Sequence, residues 1–143
     1  GYYAMHDITK LFLAKKFRIK IELEVHATAI KVLREVIKNK DFSSVGLTAE
    51  MNCLKMHALM TTTKPPILYW IPATVEVMHA VWRLREEGLE CYFTIDGGPQ
   101  VKVMCLKEDE KEINKRLLEL EGVKKTIVCN PGDGAKIIDR HLF

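Results

Sequence analysis

The chain has 143 residues, 48% of them apolar and 29% charged. That is the length of one ordinary domain and the mixture of a folded globular protein rather than a disordered one. Its 22 basic and 19 acidic residues leave a net charge of +3 and are interleaved, so they form no concentrated basic face of the kind nucleic acids select. No apolar run approaches the roughly 20 residues that cross a bilayer, and no secretory pattern opens the sequence. A cytoplasmic protein without membrane or nucleic-acid partners is expected.

Residues 8–40 read as helix, with a break near the basic run Lys15 to Lys20. Ile21, Val25, Ala29, Leu33 and Val36 recur there at helical spacing. The basic run itself reads as a solvated helix face. Asn39-Lys40-Asp41 is a stop and restart signal, and Asp41 or Ser43 can cap a second helix. That helix carries Val45, Leu47, Met51, Leu54, Ala58 and Leu59, and ends in the threonine run before Pro65-Pro66. The two prolines force an extended segment. Pro72 then suits the first turn of a third helix, which runs to about Glu87 with Val77, Ala80, Val81 and Leu84 inward and Gly88 as its stop.

The rhythm then changes. Leu89 to Ile95 reads as a strand, Asp96 to Pro99 as a turn, and Gln100 to Leu106 as a second strand, making an antiparallel hairpin. Lys107 to Leu120 reads as a charged amphipathic helix with Ile113, Leu117 and Leu118 on it. Lys125 to Cys129 reads as a third strand and Ala135 to Ile138 as a last one. Helices first and a strand-rich half second predict one α+β domain over residues 1–143, with helices packed on one face of a mostly antiparallel sheet.

The strongest chemical feature is Tyr92-Phe93-Thr94-Ile95-Asp96-Gly97-Gly98-Pro99-Gln100. It places a carboxylate at the end of a buried strand, followed by two glycines that let the backbone approach a ligand closely. A carboxylate held at a fixed point is what a general base requires. The same residues also spell a plain hairpin turn. His57, on the second helix, can serve as a base or hydrogen-bond donor, or simply as a packed and satisfied core residue. Cys53, Cys91, Cys105 and Cys129 contain no C-x-x-C pair, so no metal site is expected and they read as buried, reduced thiols. Pro131-Gly132-Asp133-Gly134 lacks the Lys-Ser or Lys-Thr ending of a phosphate loop.

Three segments together resemble one family. Asn52-Cys53-Leu54-Lys55-Met56-His57-Ala58 is similar to its Asn-x-Leu-Arg/Lys-Met-His-Ala helix end. Pro65-Pro66-Ile67-Leu68-Tyr69-Trp70 is similar to its Pro-Pro-Phe/Ile-x-Tyr segment, and Tyr92 to Gln100 to its Tyr-Phe-Thr-Met/Phe-Asp-Ala-Gly-Pro-Asn motif. Upstream, Lys38-Asn39-Lys40-Asp41-Phe42 fits a Lys-x-x-Asp-Phe stretch. The family is the diphosphomevalonate decarboxylases of the GHMP kinase superfamily, and the resemblance spans about residues 20–140.

The resemblance implies the C-terminal domain of an enzyme that uses ATP and Mg²⁺ to phosphorylate the tertiary hydroxyl of mevalonate diphosphate. Loss of that phosphate with CO₂ gives isopentenyl diphosphate. It implies Asp96 as the base or orienting group, and Gly97, Gly98, Gln100 and His57 as substrate-binding residues. It further implies an N-terminal domain of the same enzyme as partner, and a homodimer. The family's Ala-Gly-Pro-Asn reads Gly97-Gly98-Pro99-Gln100 here, which leaves a phosphomevalonate decarboxylase as an alternative. The family's glycine-rich ATP loop has no counterpart in the sequence, so the ATP-binding domain is expected to lie outside this chain. A non-catalytic binding or assembly module with the same fold is the remaining alternative.

Overall fold

The computed structural model describes residues 30–132 and Gly134. Residues 8–29 of the predicted N-terminal helix and the last predicted strand (135–138) lie outside the described residues. Helix α1 is described over residues 30–38. It closes through Lys40 at φ 56°, with the Asp41 N–H returning 2.9 Å to the Val36 carbonyl, a left-handed helix end. Asp41 then caps α2 (Phe42–Thr61), its carboxylate accepting the Ser44 N–H at 3.0 Å. Helix α3 (Pro72–Glu86) begins on its proline, as expected. It ends at Gly88, φ 95°, where the Leu89 N–H bonds the Leu84 carbonyl and the chain turns into the sheet.

Strands β1 (Cys91–Ile95) and β2 (Val101–Cys105) pair antiparallel, with Cys91 opposite Cys105 and Ile95 opposite Val101. A shorter helix α4 (Glu110–Leu118) follows. Alternation along β1 sends Cys91, Phe93 and Ile95 to one face. There they meet Val77, Met78, Ala80, Val81 and Leu84 of α3, Ile113 and Leu117 of α4, and Cys53 of α2 in a single core. The expected α+β arrangement of helices against an antiparallel sheet is therefore the one observed.

The position of α2 follows from a different demand. Residues of an antiparallel strand point their backbone groups to alternate sides, so Cys91, Phe93 and Ile95 turn theirs away from β2. A strand edge left open inside a protein carries unsatisfied donors and acceptors. Side chains close this one. The Phe93 N–H is 3.4 Å from Glu50 Oε2, and the Ile95 N–H is 3.2 Å from Cys53 Sγ. The Ile95 carbonyl accepts from His57 Nε2 at 3.2 Å, and the Cys91 carbonyl from Arg85 Nη1 at 2.9 Å. Glu50, Cys53 and His57 lie one helical turn apart on α2, so one face of that helix reads the edge of β1.

That arrangement corrects the expected face of α2. Its buried residues are Gly46, Glu50, Cys53, His57 and Met60, whereas Leu47 and Met51 are each 53% exposed and Ala58 also faces outward. The strand edge requires hydrogen-bonding groups, and those outrank apolar side chains for the inner face. Gly46 belongs to the same face because the Tyr92 ring lies against it, and a methyl group there would overlap the ring.

Two further expectations are corrected. Lys125 to Cys129 is not a strand: it is irregular and exposed, with Ile127 75% accessible, because no neighbouring strand among the described residues offers it a ladder. Nor are all the thiols buried. Cys53 and Cys91 are buried, Cys105 is half-buried, and Cys129 is exposed with that irregular segment.

Glu50 is the hub of the seal. Its carboxylate takes Trp82 Nε1–H at 2.7 Å and both Arg85 guanidinium nitrogens at 3.1 Å, besides the Phe93 amide. Replacing one partner of a buried ion pair strands the other. Glu50→Ala is expected to lower unfolding free energy by about 3–5 kcal/mol, measured by urea unfolding. A second expectation concerns alkali. Burial pushes the Cys91 thiol up to about 11 from its ordinary 9.0. A raised acid favours the folded state fully below the unfolded value and loses that advantage as pH climbs through the folded one. Stability should therefore fall between pH 9 and 11, and Cys91→Ala should make the fall of Tm across that window shallower.

Candidate functional site

Asp96 is the first residue after β1, and residues 96–100 form the loop into β2. The loop is tight at its start, with the Gly98 N–H bonding the Asp96 carbonyl at 2.8 Å. Gly97 runs beside the Tyr69 ring, and the Gln100 amide folds back over Gly98 in a space that a methyl group there would fill. The far end is tied down by Thr74, whose Oγ1–H donates to the Pro99 carbonyl at 2.8 Å while accepting the Ile71 N–H at 3.3 Å. Thr74 is only 2% exposed, so this anchor is internal to the fold.

The Asp96 carboxylate itself stands in solvent, its side chain 75% accessible. Its one charged partner among the described residues is Lys102, with Nζ 2.5 Å from Oδ2. Lys102 lies opposite Thr94 in the register, so Asp96 and Lys102 are diagonal neighbours on the same face of the hairpin. An exposed pair of this kind adds little to stability. Its effect is to aim the carboxylate while leaving the second oxygen free.

Of the residues expected at the site, Asp96, Gly97, Gly98 and Gln100 lie together on this loop. His57 does not reach its surface. It is 2% exposed and sits beneath the loop, 5.0 Å from the Trp70 ring and 6.5 Å from Tyr69 between centroids. A carbonyl only accepts, so Nε2 must carry the hydrogen it gives to Ile95. His57 thus meets the packed and satisfied description. Lys102, Thr74 and Tyr69 complete the surroundings of the loop and were not singled out from the sequence. Of these, Tyr69 stood within the Pro65 to Trp70 segment that carries part of the family resemblance.

The described residues contain no cluster of three or more His, Cys, Asp or Glu placed to hold a metal ion. Two helix starts are taken: α2 by the Asp41 carboxylate, and α3 by its own proline and Thr74. The arrangement offers a solvent-facing carboxylate at a strand end with an ammonium beside it.

Fold and loop define an α+β domain with a solvent-facing carboxylate at the end of its first strand. The family model described as "Mevalonate 5-diphosphate decarboxylase C-terminal domain" matches residues 13–131. The chain belongs to that family. It is 30% identical over 116 residues to the phosphomevalonate decarboxylase of Haloferax volcanii, a match covering 80% of this chain and 35% of that protein. Among solved structures it resembles the mevalonate diphosphate decarboxylase of Enterococcus faecalis, described for its mevalonate diphosphate-mediated ATP binding. Identity there is 32%, the TM-score 0.72, and coverage 80% of this chain and 36% of that one. It also resembles the Streptococcus pyogenes mevalonate pyrophosphate decarboxylase, at 37% identity and TM-score 0.68, over 72% of this chain and 33% of that one. The chain thus spans about a third of the length of these relatives.

Thr74→Val keeps the volume of the anchor and removes its hydrogen bonds. It is expected to lower stability by about 1–3 kcal/mol, read as a reduced Tm, and to speed proteolysis at the 96–100 loop.

Proposed function

We propose that this chain supplies one wall of the active site of an ATP-dependent decarboxylase acting on mevalonate diphosphate, with Asp96 as the group that receives the proton of the tertiary hydroxyl. The observation that carries the reading is the setting of Asp96: an accessible carboxylate directly after a strand residue, Ile95, whose N–H and carbonyl are both held. An alcohol becomes a competent nucleophile only as its proton leaves, and a positioned carboxylate can take it. ATP with Mg²⁺ supplies the phosphoryl group. The described residues do not fit that nucleotide, so it is held outside them, by an N-terminal domain of the same enzyme. Gly97 and Gly98 let the substrate approach the backbone, and Gln100 offers an amide at the rim. Departure of the phosphate together with CO₂ leaves isopentenyl diphosphate.

The apolar rim agrees with such a partner. Leu68, Ile71 and Val75 are 68%, 50% and 38% exposed on the segment that flanks the loop, and a covering domain would remove them from water. The enzyme is read as a cytoplasmic homodimer. No described helix is long and apolar enough to cross a membrane.

A second reading, decarboxylation of the monophosphorylated substrate, is favoured by the name of the Haloferax volcanii relative. The ratio of kcat/KM for mevalonate phosphate and mevalonate diphosphate, measured on the full-length protein, separates the two. In the same assay Asp96→Asn is expected to lower kcat by about 10²–10⁴-fold, with KM changed only a few-fold. Activity that survives Asp96→Asn would return the loop to a plain hairpin turn.

A further inference from the structure

We infer that His57 is the positioning residue for Asp96, acting through the backbone of Ile95; the inference rests on the role proposed for Asp96. The Ile95 carbonyl belongs to the peptide group that joins Ile95 to Asp96. A peptide group is planar, so fixing its oxygen also fixes the Asp96 nitrogen and Cα. His57 Nε2 holds that oxygen at 3.2 Å. Cys53 holds the same residue from both sides, its Sγ lying 3.2 Å from the Ile95 nitrogen and 3.5 Å from the oxygen. Desolvation raises the Cys53 pKa, which keeps the sulfur protonated and able to donate.

Among the described residues no other hydrogen bond meets that peptide group. Strand pairing ends at Ile95 opposite Val101. Beyond it come two glycines, where the Gly98 N–H bonds the Asp96 carbonyl, and then the Thr74 anchor at Pro99. Among the described residues the Asp96 side chain is held only by exposed Lys102. A displacement of about 1 Å at a reacting group can cost on the order of 10²-fold in rate. The ring is buried and its Nε2 is committed to the carbonyl, so His57 works without touching substrate.

The test uses the full-length protein with four variants: His57→Leu, His57→Gln, Asp96→Asn and the His57→Leu/Asp96→Asn pair. Glutamine can place an amide N–H where Nε2 stood; leucine cannot. His57→Leu is expected to lower kcat by about 10–100-fold while KM for the phosphorylated mevalonate stays within a few-fold, and His57→Gln should restore most of the loss. The pair should be no slower than Asp96→Asn alone, because there is no longer a carboxylate to misplace. Thermal melts set the temperature at which every variant is folded. If His57→Leu does not fold, Cys53→Ala against Cys53→Ser takes its place with the same expectations. An effect of His57→Leu that multiplies fully onto Asp96→Asn, or that falls on KM, overturns the inference while leaving the role of Asp96 standing. A neutral Asp96→Asn overturns that role, and the inference with it.

Discussion

The closing of the free edge of β1 by side chains of α2 is the contact on which the rest of the domain depends. A two-stranded sheet has two edges, and an internal edge must give its amides and carbonyls partners. Here a helix does what a third strand would otherwise do. Glu50, Cys53 and His57 meet the backbone at Phe93 and Ile95, and Arg85 of α3 reaches the Cys91 carbonyl. Because Arg85 also grips Glu50 and lies 4.7 Å over the Tyr92 ring, the helices and the strand are fastened at the same points. The core then fills in around this frame, with Phe93 and Val81 fully buried at its centre.

Much of this order was legible in the sequence, and the failures share one cause. Pro72, Gly88 and Asp41 announced their boundaries because each acts locally, through a fixed φ, a left-handed turn or a capping carboxylate. Val77, Ala80, Val81 and Leu84 were readable because α3 buries an apolar stripe against an apolar sheet face. On α2 the same logic pointed to the wrong side. Its apolar residues Leu47 and Met51 face outward, and Glu50 and His57 face inward, because the partner is a row of backbone polar groups. Periodicity cannot distinguish those two kinds of partner; only the position of the neighbouring strand does. Lys125 to Cys129 failed for a related reason. Its β-rich composition is a preference, and a strand exists only where another strand supplies the ladder.

The loop was legible in composition and only partly in geometry. Asp-Gly-Gly-Pro after a hydrophobic strand marked Asp96 as a carboxylate at a strand end, and the register puts it there. That Lys102 would stand beside it depends on hairpin register, and that Thr74 would hold the far end depends on how α3 crosses the sheet. Neither can be read from spacing along the chain. His57 shows the opposite limit. The motif that carries the family resemblance includes it, yet its chemistry here is spent on a carbonyl inside the fold.

Rigidity and freedom are divided sharply at one residue. At Ile95 both backbone groups turned away from β2 have partners, Cys53 at the N–H and His57 at the carbonyl; from Gly97 the chain has no side chains to pack until Pro99. Asp96 stands at that boundary, with a fixed Cα and a solvated carboxylate. A base placed deeper would be pushed towards its neutral form by desolvation, and one placed further along the loop would wander. The boundary position fixes the place through the strand end and leaves the carboxylate in water. Within the described residues the loop offers two glycines, one amide and one ammonium, so on the function proposed above, discrimination between mono- and diphosphorylated substrates is assigned mainly to residues outside this loop.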